Sequence, residues 1–149
     1  YPNEPPMRLT THTDYALRTL MYLVSVKGRT TAAQVAKLYG ISANHMSKVV
    51  NQLARLGYVR SIRGIGGGIE LAQPPEEIRL GEVIEAFEGN MHLLDCVVTD
   101  DVCAIQSFCK LKGALAEAEK VQLDYLNNVT LADVAPTKRQ FSRLNSPAT

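Results

Sequence analysis

The sequence predicts a mostly α fold with a small β-hairpin: a winged helix-turn-helix followed by a long C-terminal dimerisation helix. Three observations carry this reading. Apolar residues recur at helical spacing in three consecutive segments between residues 13 and 56. A strand, glycine turn and return strand follow at residues 58–72. A further amphipathic segment covers residues 110–129.

Residues 13–26 form the first predicted helix. Tyr15, Leu17, Leu20, Met21, Leu23 and Val24 give it a broad apolar face, and Gly28 follows as a stop. The second helix opens at Thr30-Thr31-Ala32-Ala33-Gln34. Thr31 with Gln34 three residues on matches a capping box, in which the two side chains satisfy orphan backbone N–H groups. Val35, Ala36 and Leu38 face inward, and Gly40 suits the left-handed conformation found past helix ends. Ser42 caps a third helix that runs to about Leu56, with Met46, Val49, Val50, Leu53 and Leu56 on its inner side.

Tyr58-Val59-Arg60-Ser61-Ile62-Arg63 has strand composition, Gly64-Ile65-Gly66-Gly67-Gly68 is a turn, and Ile69-Glu70-Leu71-Ala72 returns. Pro74-Pro75 breaks the chain before a short helix over residues 80–87, with Val83, Ile84 and Phe87 inward. Residues 89–109 lack periodicity and hold all three cysteines. In residues 110–129, Leu111, Leu115, Ala118, Gln122, Tyr125 and Val129 alternate steps of three and four, with Leu126 on the same side. Such a narrow seam suits pairing with another long helix. The expected units are a leader or cloning remnant (1–6), the winged helix-turn-helix (7–79), a short helix with the cysteine loop (80–109), the dimerisation helix (110–135) and a disordered tail (136–149).

Charge is divided along the chain. Residues 7–63 hold nine Lys/Arg against one acid, Asp14, whereas residues 64–135 hold four against thirteen. The first half is therefore suited to a polyanion and the second is not. No apolar run approaches the roughly 18 residues of a membrane span, and no signal peptide opens the chain. These features predict a cytoplasmic protein without a membrane partner.

In a helix-turn-helix the second helix of the pair enters the major groove of DNA. The third helix offers Ser42, Asn44, His45, Lys48, Asn51 and Gln52 for that role. Asn and Gln can pair with adenine edges, and Lys can reach guanine or phosphate. Arg60 and Arg63 flank the hairpin. Gly66 and Gly67 at its tip lack side chains, so the backbone can approach a phosphate closely. Arg63 is the candidate for insertion into a narrow minor groove. The plainer alternative is a solvated helix face beside an ordinary hairpin, and the charge balance weighs against it.

Cys96, Cys103 and Cys109 stand in a C-x6-C-x5-C array. Thiolates bind soft metals and iron–sulfur clusters, and the missing CxxC pair excludes zinc-ribbon spacing. Buried apolar cysteines, a reversible disulfide with one spare thiol, and zinc with His92 as fourth ligand stay open at this point. A thiol redox enzyme is a more distant reading, because no CxxC opens a helix. A purely structural dimer module is equally distant. The expectation is that the protein is not an enzyme.

The segment Met7-Arg8-Leu9-Thr10-Thr11-His12-Thr13-Asp14-Tyr15-Ala16-Leu17-Arg18 resembles the opening of a family of bacterial iron–sulfur winged-helix regulators related to IscR. Ile41-Ser42, Leu56-Gly57-Tyr58-Val59, the Arg63 to Gly68 motif and the cysteine loop before a long helix strengthen the likeness. It extends over about residues 7–134 and is strongest to the nitric-oxide-sensing repressors (NsrR). The resemblance implies a homodimeric repressor of a double-stranded DNA operator. It also implies an iron–sulfur cluster, 4Fe–4S with 2Fe–2S as the alternative, held by Cys96, Cys103 and Cys109. IscR-like members carry a histidine three residues after the last cysteine, where this chain has Lys112. The likeness instead implies Asp14, donated by the partner subunit, as fourth ligand and nitric oxide as the signal. Two departures stand out: the length of the gap between Cys96 and Cys103, and Ile65 where many relatives carry a basic residue. Without the resemblance, Asp14 reads as the i, i+4 partner of Arg18 or as a helix-start acid. His12 and His92 are spare ligand candidates. Sensing of iron supply, cluster supply or redox state is the alternative to nitric oxide.

Overall fold

The computed structural model describes residues 8–89 and 91–144, apart from the side chain of Cys96. Helix α1 covers Thr11–Val26, α2 Ala32–Tyr39 and α3 Ala43–Arg55. Helix α1 starts two residues before the expected point because Thr10 caps it, its hydroxyl accepting from Thr13 N at 3.3 Å. At the other end Lys27, not Gly28, takes the left-handed position (φ 50°). The α2 capping box is present. Thr31 Oγ1 accepts from Gln34 N at 3.1 Å, and Gln34 Oε1 accepts from Thr31 N at 3.2 Å. Gly40, at φ 66°, turns the chain into α3.

Strands β1 (Val59–Ile62) and β2 (Gly68–Leu71) pair antiparallel, with Val59 opposite Leu71 and Ile62 opposite Gly68. The hairpin is tied to the helices by a two-way bridge. Thr30 N donates to Ile69 O at 3.0 Å, and Ile69 N donates to Thr30 O at 2.7 Å. The short segment between α1 and α2 thus adds one bridge residue, Thr30, to the edge of the two-stranded hairpin, which local periodicity does not reveal.

One core runs through these elements. Leu20 and Leu23 from α1, Val35 from α2, and Met46, Val49 and Leu53 from α3 are sealed from solvent. Their burial is the main stabilising contribution, at about 25 cal/mol per Å² of apolar surface. The core continues into Ile78, Val83 of α4 (Leu80–Glu88) and Leu131 of α6 (Leu131–Val134). Backbone bonds Leu80 N to Val129 O (2.9 Å) and Leu131 N to Ile78 O (2.8 Å) return the end of α5 (Lys110–Asn127) to the start of α4. Gly81 permits that closeness, since a Cβ there would collide with Asn127.

Two expectations need correction. Helix α5 has no buried residue, and its apolar positions divide. Leu115 and Leu126 are half-buried toward the body, whereas Leu111, Ala118, Val121 and Tyr125 face outward. Val129 lies beyond the helix end, so the predicted seam is two faces rather than one. The tail is also not wholly without order. Helix α7 covers Lys138–Leu144, and Phe141 packs edge-on against Tyr22 of α1 with centroids 5.3 Å apart. Thr137 and Gln140 cap this helix reciprocally, through Gln140 N to Thr137 Oγ1 (3.2 Å) and Thr137 N to Gln140 Oε1 (2.8 Å). That T-x-x-Q pattern was the available sequence signal. The expected leader, residues 1–6, lies outside the described residues. No helix among the described residues is long and apolar enough to cross a membrane.

Candidate nucleic-acid interface

The buried side of α3 holds its orientation, and the other side is left outward. Ser42 accepts from His45 N at 3.2 Å, which satisfies an orphan donor at the helix start. Asn44, Lys48 and Asn51 are exposed and make no side-chain hydrogen bond or ion pair with another described residue. His45 and Gln52 are half-buried. His45 meets the Tyr15 ring edge-on at 4.7 Å. Gln52 Oε1 lies 2.7 Å from His12 Nε2. A shallow groove lined by His12, Lys48, Asn51, Gln52, Ala54 and Arg55 runs along this face. Arg55 and His12 were not among the expected DNA contacts; the i, i+4 step from Asn51 to Arg55 was the sequence signal for the former.

The wing is less free than its sequence suggests. Arg60 Nε donates to Glu70 Oε1 at 3.1 Å, directly across the hairpin, and reaches Leu71 O at 3.5 Å. Such an exposed pair stabilises by at most about 1 kcal/mol, so a phosphate can displace it. Arg63 is exposed and unpaired among the described residues, and Ile65 at the tip is fully exposed. Arg29, which sequence reading missed, clamps the tip. Its Nη1 donates to Gly66 O at 2.7 Å, and its Nη2 lies 3.6 Å from Glu70 Oε2. These partners lie far apart in sequence, so only packing discloses them.

The glycines have an internal role. A Cβ on Gly67 would meet Ile62 O, and one on Gly68 would meet Thr30 O. Close backbone approach within the wing therefore already requires both. We expect Gly68→Ala to break the Thr30–Ile69 bridge and to lower stability by about 1–3 kcal/mol. Thermal melting measures this, and an unchanged midpoint would refute the close-packing account.

The cysteine loop docks on α5 through Glu119. Leu93 N donates to Glu119 Oε1 at 2.6 Å, and His92 Nδ1 lies 2.9 Å from Glu119 Oε2. Desolvation pushes the Glu119 carboxyl up, but the His92 and Leu93 hydrogen bonds and the His92 charge outweigh it and hold the group below its ordinary value. His92, a spare ligand candidate, is thus engaged with α5. Cys103 is exposed, Cys109 is half-buried at the residue preceding α5, and neither is in a disulfide. Cys96 sits in a short helical turn, Asp95–Val97, and its side chain lies outside the described residues.

Asp14 lies in the first turn of α1, where its carboxylate accepts from Arg18 Nε at 2.9 Å. Both side chains are 45% exposed. The Arg18 guanidinium is raised above its ordinary value, first by that hydrogen bond and, against a smaller desolvation, by the Asp14 charge. Arg18 also lies over the Tyr39 ring, 5.5 Å from its centre. Among the described residues, no three His, Cys, Asp or Glu side chains converge on a point. The expected ligand set takes Asp14 from a second subunit, so convergence within one chain is not its test. The donor chemistry does fit: two free thiols in one loop and an accessible carboxylate on the outward side of α1.

Residues 9–137 match the sequence model of a family described as Rrf2, iron-dependent transcriptional regulator. The chain is similar to the oxidised form of CymR from Staphylococcus aureus, at 26% identity over 86% of this chain and 95% of that one, with a TM-score of 0.69. It is similar to CymR (YrzC) from B. subtilis, described as the global cysteine regulator, at 25% identity over 86% and 95%, with a TM-score of 0.70. IscR from T. potens shares the fold, at 22% identity over 95% and 93%, with a TM-score of 0.66.

Proposed function

Because the chain belongs to the Rrf2 family of DNA-binding transcriptional regulators, which are not enzymes, we propose that it is a cytoplasmic homodimeric repressor whose hold on its operator depends on an iron–sulfur cluster sensing nitric oxide. Residues 7–79 read DNA, residues 80–109 hold the cluster, and residues 110–135 join the subunits. Ser42, Asn44, His45, Lys48, Asn51 and Gln52 face the major groove, while Arg60, Arg63, Gly66 and Gly67 meet the flanking backbone and minor groove.

The observation that carries this reading is the position of Asp14. It lies two residues from His12, and His12 is hydrogen-bonded across to Gln52 of α3. Any pull on the first turn of α1 therefore reaches the reading helix through one contact. Cys96, Cys103 and Cys109 of one subunit, with Asp14 of the other, would hold the cluster, which would supply iron reactive toward nitric oxide. Asp14 is a harder ligand than thiolate, and Arg18 at 2.9 Å competes for the same carboxylate. The Asp14 side is accordingly the labile one. With Asp14 paired only to Arg18, α1 and α3 would no longer be tied to the partner, and half-site spacing on DNA would be lost.

Anaerobic purification tests this. The parent is expected to be brown, with visible absorption bleached by nitric oxide and a parallel loss of DNA retardation. Cys109→Ala is expected to be colourless. Asp14→Ala is expected to bind DNA more weakly than the parent before any treatment and to lose most of the response to nitric oxide. A colourless zinc-loaded parent, or an Asp14→Ala protein identical to the parent, would sink the proposal.

A second reading is a regulator of the same fold sensing cysteine, iron or redox state. The exposed Cys103 thiol and the likeness to CymR favour it. It predicts a DNA response to disulfide oxidants in protein lacking iron.

A further inference from the structure

Asn44, Lys48 and Asn51 are untethered, but Gln52 is held from another element. Its Oε1 lies 2.7 Å from His12 Nε2. An amide oxygen only accepts, so the imidazole donates from Nε2. His12 is itself held on two sides. Its ring stacks on His45, with centroids 5.7 Å apart and planes 10° apart, and meets Phe87 of α4 at 5.3 Å. It lines the same groove as Lys48, Asn51 and Gln52. The imidazole therefore has little freedom to swing away and release the amide.

A free glutamine recognises adenine with both amide atoms, donating to N7 and accepting from the N6 amino group. With Oε1 engaged by His12, Gln52 presents its NH₂ end as a donor. Guanine offers two acceptors in the major groove, N7 and O6, and adenine one. The geometry points to His12 as a positioning residue that makes Gln52 select guanine over adenine. This inference rests on the proposal that α3 reads base edges. It differs from the expectation that Gln52 pairs with adenine.

The test uses the full chain and a pool of random-sequence duplex DNA, with bound sequences recovered and counted. Parent, Gln52→Ala, His12→Phe, His12→Gln and the double variant His12→Phe/Gln52→Ala are compared. His12→Phe keeps a ring against His45 and Phe87 but removes the N–H donor, so folding is preserved and melting confirms it. Gln52→Ala is expected to erase the preference at one position of each half-site. His12→Phe is expected to shift that position from guanine toward adenine by about five- to tenfold, the worth of one hydrogen bond. Other positions and the salt dependence stay unchanged. His12→Gln, which restores a donor, is expected to return the preference toward guanine, and the double variant should match Gln52→Ala. A uniform loss of affinity in His12→Phe with no change at that position overturns the positioning role. An unchanged preference in Gln52→Ala removes Gln52 as a reader and overturns the inference, whereas a parent that recovers no preferred sequence overturns the reading of α3 itself.

Discussion

A chain carrying Val121→Lys and Tyr125→Glu is expected to run as a monomer and to bind operator DNA about 10²-fold or more weakly than the parent. The outward face of α5 is where the reason lies. Leu111, Val121 and Tyr125 are 58%, 59% and 70% exposed, and nothing in the chain's own core depends on them. They recur at helical spacing with Ala114 and Ala118 along an 18-residue helix, about 27 Å long. A contiguous apolar stripe of that length is suited to association. A dimer places two α3 helices on successive half-sites, and the second contact is then effectively intramolecular. The substituted side chains lie on the surface, so the melting midpoint of the monomer itself should hardly move. Sedimentation and gel retardation read the two effects separately. A dimer that survives the double substitution, or undiminished DNA affinity in a proven monomer, would remove this face from the interface.

Leu53→Ala is expected to destabilise the protein by about 2–5 kcal/mol, the cost of a cavity where a sealed leucine stood. Leu53 is completely buried on α3, among side chains from α1 and α2. For a chain of this size each kcal/mol lowers the midpoint by roughly 2–4 °C, so a loss of about ten degrees is expected. Leu56, three residues on, is 40% exposed, and Leu56→Ala should cost less than about 1 kcal/mol, in proportion to the smaller area it buries. Leu56, expected on the inner side, is instead the C-cap that follows α3, so the contrast sets a sealed core position against an exposed helix end. Denaturant unfolding of the two variants decides it, and equal losses would place α3 in a different orientation.

The local devices were legible for a physical reason. Thr31 with Gln34, Ser42 and Gly40 act on backbone groups within four residues, so their pattern states their geometry. The cost of missing such a device is visible at Thr137 and Gln140, which form the same box at α7 while residues 136–149 were expected to be disordered. Phe141 becomes ordered because Tyr22, far away in sequence, offers its ring. The wing shows the same division. Its turn was evident from the Gly64 to Gly68 run, but the need for Gly67 and Gly68 comes from Ile62 O and Thr30 O inside the hairpin.

The sequence by itself determined the element order, the polarity of the two halves and the grouping of three cysteines before a long helix. These depend on periodicity, capping and composition, which act over one or two helical turns. Tertiary structure alone decided that Arg29 clamps Gly66, that Arg60 pairs with Glu70, that His12 holds Gln52 and that α5 divides Leu115 and Leu126 from its outward stripe. Each of these joins elements through the particular angle at which they pack. That angle is set by the shape of a shared core, not by any residue's preference for its own neighbours.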